Sequence, residues 1–335
     1  MPNALTHRYI GDKIYDSLDD RTKAIVKRHK KAYVMGCLGA DTLMGLVYAK
    51  DPEIRNAGEK LHEKTVFAGI ENTANYLKEH KNNEKLYAFF LGTLTHYVAD
   101  STIHPFVYSY VEEGLKHRNG ATASEVCLHL IVETDMDVYI GRTLLNGKRA
   151  NPFWLFPHGR KLRAVIRKYF LKVNRDIYKL KLSHNQVFYS IFLFKALMFV
   201  TQRNNNGRIR YFIVRQLDKL SGANHLLLSA LRPRNLDKNY DYLNLSKAEY
   251  QASFGDKDSG TVNFSFPELL KIAIIRGNEL INKANSHISQ GIPLDLRDFE
   301  LNFNGSMNEE YALAVANGTI EKREHSTLTI YKDLV

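Results

Sequence analysis

Apolar positions recur three and four residues apart along most of the chain, and alternating runs of strand type are scarce, which predicts a nearly all-α protein. Eight prolines in 335 residues leave room for long helices. A first helix is expected from Thr6 to Ser17 and a second from Arg21 to Met35, after which Gly36, Gly39 and Gly45 break the pattern around Asp41. Glu53 to His80 reads as one helix carrying His62, and Lys85 to Ile103 as another carrying His96 and Asp100. Pro105 disfavours helical geometry at His104, so that helix should end or kink there. Beyond a polar loop at Lys116 to Ala121, Thr122 and Glu125 have the spacing of a capping box, opening a helix through His129 and Glu133 to Leu145. Asn146-Gly147-Lys148 is the best candidate boundary. It sets a core of residues 1–146 apart from a C-terminal helical region, 147–335, packed on that core and readable as part of the same domain. There, helices are expected over 160–181, 184–202, 207–220 and 266–288, and Thr327 to Tyr331 reads as an extended tail.

Charge adds a preference for partners. Lysine and arginine outnumber aspartate and glutamate by 47 to 36, for a formal charge of +11, so phosphorylated substrates, anionic lipid surfaces and nucleic acid are all electrostatically favoured. Arg163, Arg167, Lys168, Lys172 and Arg175 are spaced like the outside of a helix, either a solvated face or a docking site for phosphate or membrane. Two cysteines, Cys37 and Cys127, are too few for a disulfide framework and read as reduced thiols packed as small hydrophobes, as in a cytosolic protein. The segment from Met1 to His7 lacks the cationic start and apolar run of a secretory signal. The most apolar stretch, Ile191 to Val200, is interrupted by Lys195 and stops short of the roughly 20 residues of a spanning helix. A cytoplasmic protein, with peripheral contact to an anionic membrane surface left open, is the expectation.

Of the histidines, the informative ones lie near carboxylates. His96 and Asp100, and again His129 and Glu133, stand four residues apart, which puts imidazole and carboxylate one above the other on a helix face. Zinc accepts imidazole nitrogen and carboxylate oxygen in compact geometry, and such pairs preset two ligands on a rigid element. His104 follows Asp100 by the same interval. A surface ion pair has the same spacing, but both pairs sit in apolar segments, where a buried charge must be paired or bound to metal. Ion pairing between the two helices inside the core remains the competing account.

These residues also carry a resemblance. The run from Gly92 to Phe106, Gly-Thr-Leu-Thr-His-Tyr-Val-Ala-Asp-Ser-Thr-Ile-His-Pro-Phe, followed by His129-x-x-x-Glu133, closely resembles the zinc-dependent phospholipase C family. The start Met-Pro-Asn-Ala-Leu-Thr-His7 is similar to its cytoplasmic-type bacterial members, Gly36-x-x-Gly39-Ala40-Asp41 to its glycine-plus-aspartate turn, and His62 lies where the next ligand falls. The resemblance implies an all-α phospholipase C fold, shared with secreted single-strand nucleases, and two or three zinc ions. It implies that Asp41, His62, His96 and Asp100 hold one zinc and that His104, His129 and Glu133 hold a second. His7, with Asp100 as a bridge, would help hold a third. Secreted members give that third zinc their mature N-terminal tryptophan, whereas the one tryptophan here is Trp154. The Asp100 to His104 interval is shorter than theirs, and Ala40 stands where the family often has proline.

The implied activity is phosphodiester hydrolysis, with a metal-activated water attacking phosphorus of a phospholipid headgroup ester and Asp41 orienting or deprotonating that water. A nuclease or phosphatase on the same scaffold, or a non-catalytic metal-binding protein associated with membranes, stays open, nucleic acid being the less favoured substrate. Asp137 continues the His129 face and is a candidate for orienting an imidazole.

Overall fold

The computed structural model describes residues 4–117, 124–146, 160–201, 208–221, 229, 231 and 240–332. Its axis is α7 (Glu84–His117), 34 residues long. Phe89, Phe90, Leu91, Leu94, Tyr97 and Val98 are all buried, so this stretch is apolar on every side and must be enclosed by other helices. Those are α1 (Ala4–Ser17), α3 (Lys30–Gly36), α6 (Val66–Glu79), α8 (Glu125–Tyr139), α9 (Arg160–Asp176) and α12 (Phe266–Gln290). The tightest crossing is glycine on glycine. A Cβ on Gly36 would lie 2.0 Å from the Phe89 carbonyl oxygen, and one on Gly92 would lie 2.1 Å from that of Tyr33.

The expected break at Pro105 does not occur, and α7 runs through it to His117. Proline inside a helix removes one hydrogen bond and costs about 3 kcal/mol. Ile103, Phe106, Val107 and Val111 on either side are buried, and the ring lies against Gly305, where a Cβ would come within 2.3 Å of Pro105 Cδ. Burial on both flanks outweighs the local preference.

Two expected helices are divided instead. Arg21 to Met35 splits at His29 (φ −116°, ψ 29°) into α2 (Asp20–Arg28) and α3, and the turn sends α3 across α7 so that the glycines meet. The stretch from Glu53 to His80 becomes α4 (Pro52–Arg55), α5 (Ala57–Glu63) and α6, with Thr65 left-handed at φ 48°. The Glu310 carboxylate, from α13 (Glu309–Ala316), accepts the backbone N–H groups of Phe67 at 2.7 Å and Ala68 at 3.0 Å and so caps α6 from far along the chain. A propensity window cannot register that partner. Around Asp41 the glycine-rich segment forms a 3-10 helix, Gly39–Tyr48.

Helix α8 is capped by Ser124, which accepts the Cys127 N–H at 3.3 Å, rather than by Thr122, which lies outside the described residues. It ends in a π-helical turn, Ile140–Leu144. The expected boundary at Gly147 and Lys148 also lies outside the described residues. Beyond it come α9, α10 (His184–Thr201), α11 (Arg208–Ser221) and α12, which opens with a capping box between Ser265 and Glu268. The two strands described, Tyr250–Gln251 and Thr261–Val262, pair antiparallel with Tyr250 opposite Val262. Thr327 to Tyr331 is not an extended tail, because Thr329–Tyr331 closes a 3-10 turn and Leu328 is buried. Cys37 and Cys127 are buried thiols outside any disulfide, and burial pushes the Cys37 thiol up to about 12. Among the described residues no helix is long and apolar enough to cross a membrane.

Replacing Gly92 by alanine should force α3 and α7 apart. Overpacking of this kind costs about 2–3 kcal/mol, which urea denaturation of the Gly92→Ala protein would register; an unchanged midpoint would mean that the crossing yields freely.

Candidate metal centre

On α7, residues four apart line one face, and His96, Asp100, His104 and Tyr108 form such a row. Three other segments meet it. Gly39 has φ 39°, and a Cβ there would lie 2.3 Å from His96 Cδ2, so glycine lets the backbone lie flat against the imidazole and deliver Asp41 to it. From α5, His62 donates through Nδ1 to the Gly58 carbonyl at 2.7 Å, which aims Nε2 at Asp41 Oδ1, 3.1 Å away. From α1 comes His7, fully buried despite its place near the chain start.

The two carboxylates each face two ways. Asp41 presents Oδ1 to His62 Nε2 (3.1 Å) and His96 Nε2 (3.7 Å), and Oδ2 to His7 Nε2 (3.7 Å). Asp100 presents Oδ2 to His96 Nε2 (3.4 Å) and His62 Nε2 (3.8 Å), and Oδ1 to His7 Nε2 (3.3 Å). One compartment is therefore lined by His62 and His96 and a second by His7, with both acids between them. The bridging assigned to Asp100 is accompanied by an equal one from Asp41, which the sequence did not indicate. Asp41, His62, His96 and Asp100 offer ligand atoms all within 4.8 Å of one another.

His104, His129 and Glu133 make a second group with the same compactness. Glu133 Oε1 lies 2.7 Å from His129 Nε2 and 3.3 Å from His104 Nε2. His104 donates through Nδ1 to the Phe303 carbonyl, leaving Nε2 for the centre. Such a bond fixes tautomer and ring orientation, the usual arrangement around a metal-ligating imidazole. Tyr108 stacks on Phe254 at 4.8 Å and lies 4.8 Å from the His129 ring, so it walls this group. Its place in the four-residue row was legible; the carbonyls of Gly58 and Phe303 carried no sequence signal.

The donor set fits zinc on an observation internal to the site. Both oxygens of Asp100, with His96 Nε2 and His7 Nε2, are buried without a hydrogen-bond partner. Unpaired buried carboxylate is costly, and four such atoms converging on one place are what a cation would satisfy. Burial holds the His96 imidazole near 4 against the pull of Asp100, and burial holds His129 near 4 against Glu133, so both stay neutral, as ligation requires. For His7 and His62 burial also acts against the charged form, but Asp100 and Asp41 outweigh it and raise both. Burial disfavours the charged forms of Asp100 and Glu133 too, yet the neighbouring imidazoles hold both carboxyls below the usual range.

Asp137 acts one step back. Its carboxylate accepts the N–H groups of Leu5 (3.1 Å) and Thr6 (2.8 Å) and the Thr6 hydroxyl (2.7 Å), anchoring the first turn of the helix that carries His7. An anion there satisfies free helix N–H groups and suits the helix dipole. It positions an imidazole through the backbone.

Three outcomes are expected. Because His7 and His62 hold protons above the ordinary imidazole range in the metal-free protein, zinc must displace them. Calorimetric titration near pH 7 should then show proton release, as an enthalpy that changes with the buffer's ionisation heat, and affinity should rise with pH; buffer-independent heat would contradict the arrangement. Glu133→Ala should lower the zinc count by mass spectrometry under native conditions, while the group at Asp41 stays loaded. Asp137→Ala should cost about 1–2 kcal/mol, the scale of a lost helix cap, by denaturation of the metal-free protein.

No curated protein and no solved structure matches the chain. A family model described as zinc dependent phospholipase C matches residues 6–180, which include His7 and every residue of both groups. That span is more than half of the 335 residues, and it contains the buried acids and imidazoles that could hold metal. The chain belongs to the zinc-dependent phospholipase C family.

Proposed function

We propose that the protein hydrolyses a phosphodiester of the phospholipid headgroup type at this centre. Asp41, His62, His96 and Asp100 would hold one zinc, and His104, His129 and Glu133 a second. His7 and the outer oxygen of Asp100 would take part in a third, which leaves Asp41 Oδ2 free of that role. The observation that carries the reading is the pair of buried carboxylates, each turned both ways among imidazoles with no lysine or arginine paired to either among the described residues. Bound zinc supplies a Lewis acid for phosphoryl oxygens and brings a water's pKa toward neutrality.

The chain's own groups do the rest. Asp41 Oδ2, on the His7 side, is the base we assign to orient the attacking water and accept its proton. Asp100 remains ionised throughout the working range, since its neighbours hold its carboxyl low. His62 and His104 are held to one tautomer by the carbonyls of Gly58 and Phe303. The second carbonyl supports a further reading, that residues beyond 146 belong to the same working unit. Phe303 also donates its N–H to the His62 carbonyl at 3.0 Å, so one C-terminal residue touches both groups.

The zinc-loaded protein should cleave a choline phosphodiester in preference to a phosphomonoester or single-stranded DNA. Asp41→Asn should lower kcat by about 100-fold or more, the range of a lost general base, beyond any fall in zinc content. Turnover of DNA alone would move the assignment to a nuclease, and full zinc occupancy with no turnover of any of the three would overturn hydrolysis.

A further inference from the structure

Surface helices ordinarily turn their apolar stripe inward, and α11 does the reverse. Within residues 211–220 the buried positions are Val214 and Asp218, four apart on one side. The other side presents Phe212 (60 % exposed), Ile213, Leu217 and Leu220 (83 % exposed). Helix α10 is apolar on its inner side and exposes a second apolar face as well. Val187, Ser190, Phe194 and Met198 are buried, while Tyr189, Phe192 (62 % exposed) and Leu193 point outward at spacings of three and four. The 3-10 helix bearing Asp41 adds Val47 and Tyr48, both exposed, and is tied to α10. Ser190 donates its hydroxyl to the Thr42 carbonyl at 2.7 Å, the Tyr48 hydroxyl donates to the Gln186 carbonyl at 3.1 Å, and a Cβ on Gly45 would lie 2.3 Å from the Ser190 carbonyl oxygen.

The charge on these elements has one sign. Helix α10 contains no acid, the single acid of α11 is buried Asp218, and the single acid of the 3-10 helix is buried Asp41. Arg215 and Lys219 are exposed on α11, and Arg163 from α9 lies over the Phe188 ring of α10 at 5.6 Å. The acids that follow the patch are engaged elsewhere, Asp51 capping α4 through the Glu53 N–H at 2.9 Å and Glu53 pairing with Lys60. Outward aromatic and aliphatic side chains framed by cations match the interface of an anionic bilayer, whose acyl boundary takes the apolar groups and whose headgroups take the charge.

We propose that the outward face of α10 with Val47 and Tyr48, and the outward face of α11, are where this protein docks on an anionic phospholipid membrane. The purpose rests on the lipid reading above; the docking itself is measured without turnover. Because Val47 and Tyr48 end the segment that begins beside Asp41, a bilayer on this face lies next to an element of the metal centre.

The test is flotation of the zinc-loaded full chain with vesicles of phosphatidylcholine mixed with phosphatidylglycerol. The protein should float with them, and less with phosphatidylcholine alone or in high salt. Phe192→Ala with Leu220→Ala should weaken partitioning about tenfold, since each loses several buried methylene equivalents, and Lys219→Glu should weaken it on anionic vesicles. Zinc content and turnover of a soluble short-chain substrate should stay unchanged in both variants. Protein that stays at the bottom, variants that float like the parent, or a dimer that Phe192→Ala with Leu220→Ala dissociates would overturn the proposal, the last by giving the face to a second copy. Flotation without cleavage of any phosphodiester would instead overturn the hydrolase reading and leave the docking surface standing.

Discussion

Two carboxylates buried side by side govern the architecture. Asp41 and Asp100 offer ligand oxygens within 4.8 Å of each other, where two unit negative charges repel by roughly 3–4 kcal/mol at an effective dielectric constant near 20. No folding domain accumulates that without a counterion. The carboxylates raise the imidazoles of His7 and His62 and so favour their charged forms as part of it, and a bound divalent ion would supply the remainder. On this reading the centre would exchange protons for metal, at the buried atoms that lack hydrogen bonds in the protein alone.

The supports of the centre follow from that requirement. Its candidate ligands come from α1, the 3-10 helix, α5, α7 and α8, none of which could fix the geometry alone. Glycines do much of the joining. Gly39 lets one segment lie on an imidazole, while Gly36 and Gly92 bring the neighbouring α3 backbone onto α7. Carboxylates and carbonyls from distant parts of the chain then hold individual turns. Asp137 holds the start of α1, Glu310 the start of α6, and Phe303 the ring of His104. The free energy of loading the centre is therefore shared with the packing of the whole core, as is general where a site does not exist in the unfolded chain.

What the sequence made legible was whatever depends on short spacing. The four-residue rows on α7 and α8 announced His96, Asp100, His104, His129 and Glu133 in apolar surroundings, and the helical period announced the α class. His7 and His62 were not readable this way, because their neighbours look exposed and their burial comes from segments far away; only the family resemblance pointed to them. The helix boundaries failed for the same reason. Pro105 is tolerated because both flanks are buried, and the turns at His29 and Thr65 exist because α3 and α6 must reach partners that no local window contains.

The same distinction bears on the outer face of α10 and α11. Periodicity alone predicts helices there and assigns their apolar stripes to the core, since that is what apolar stripes normally do. The structure puts Val214 and Asp218 inward and Phe212, Leu217 and Leu220 outward, so the amphipathic pattern is addressed to something outside the chain. A buried metal centre asks for anionic ligands and excludes bulk water, whereas an exposed apolar surface ringed by arginine and lysine asks for an anionic, partly apolar medium. A substrate whose phosphodiester lies at the boundary of such a medium would satisfy both demands at once, and that agreement between inside and outside gives the lipid reading its physical force over a soluble phosphate ester.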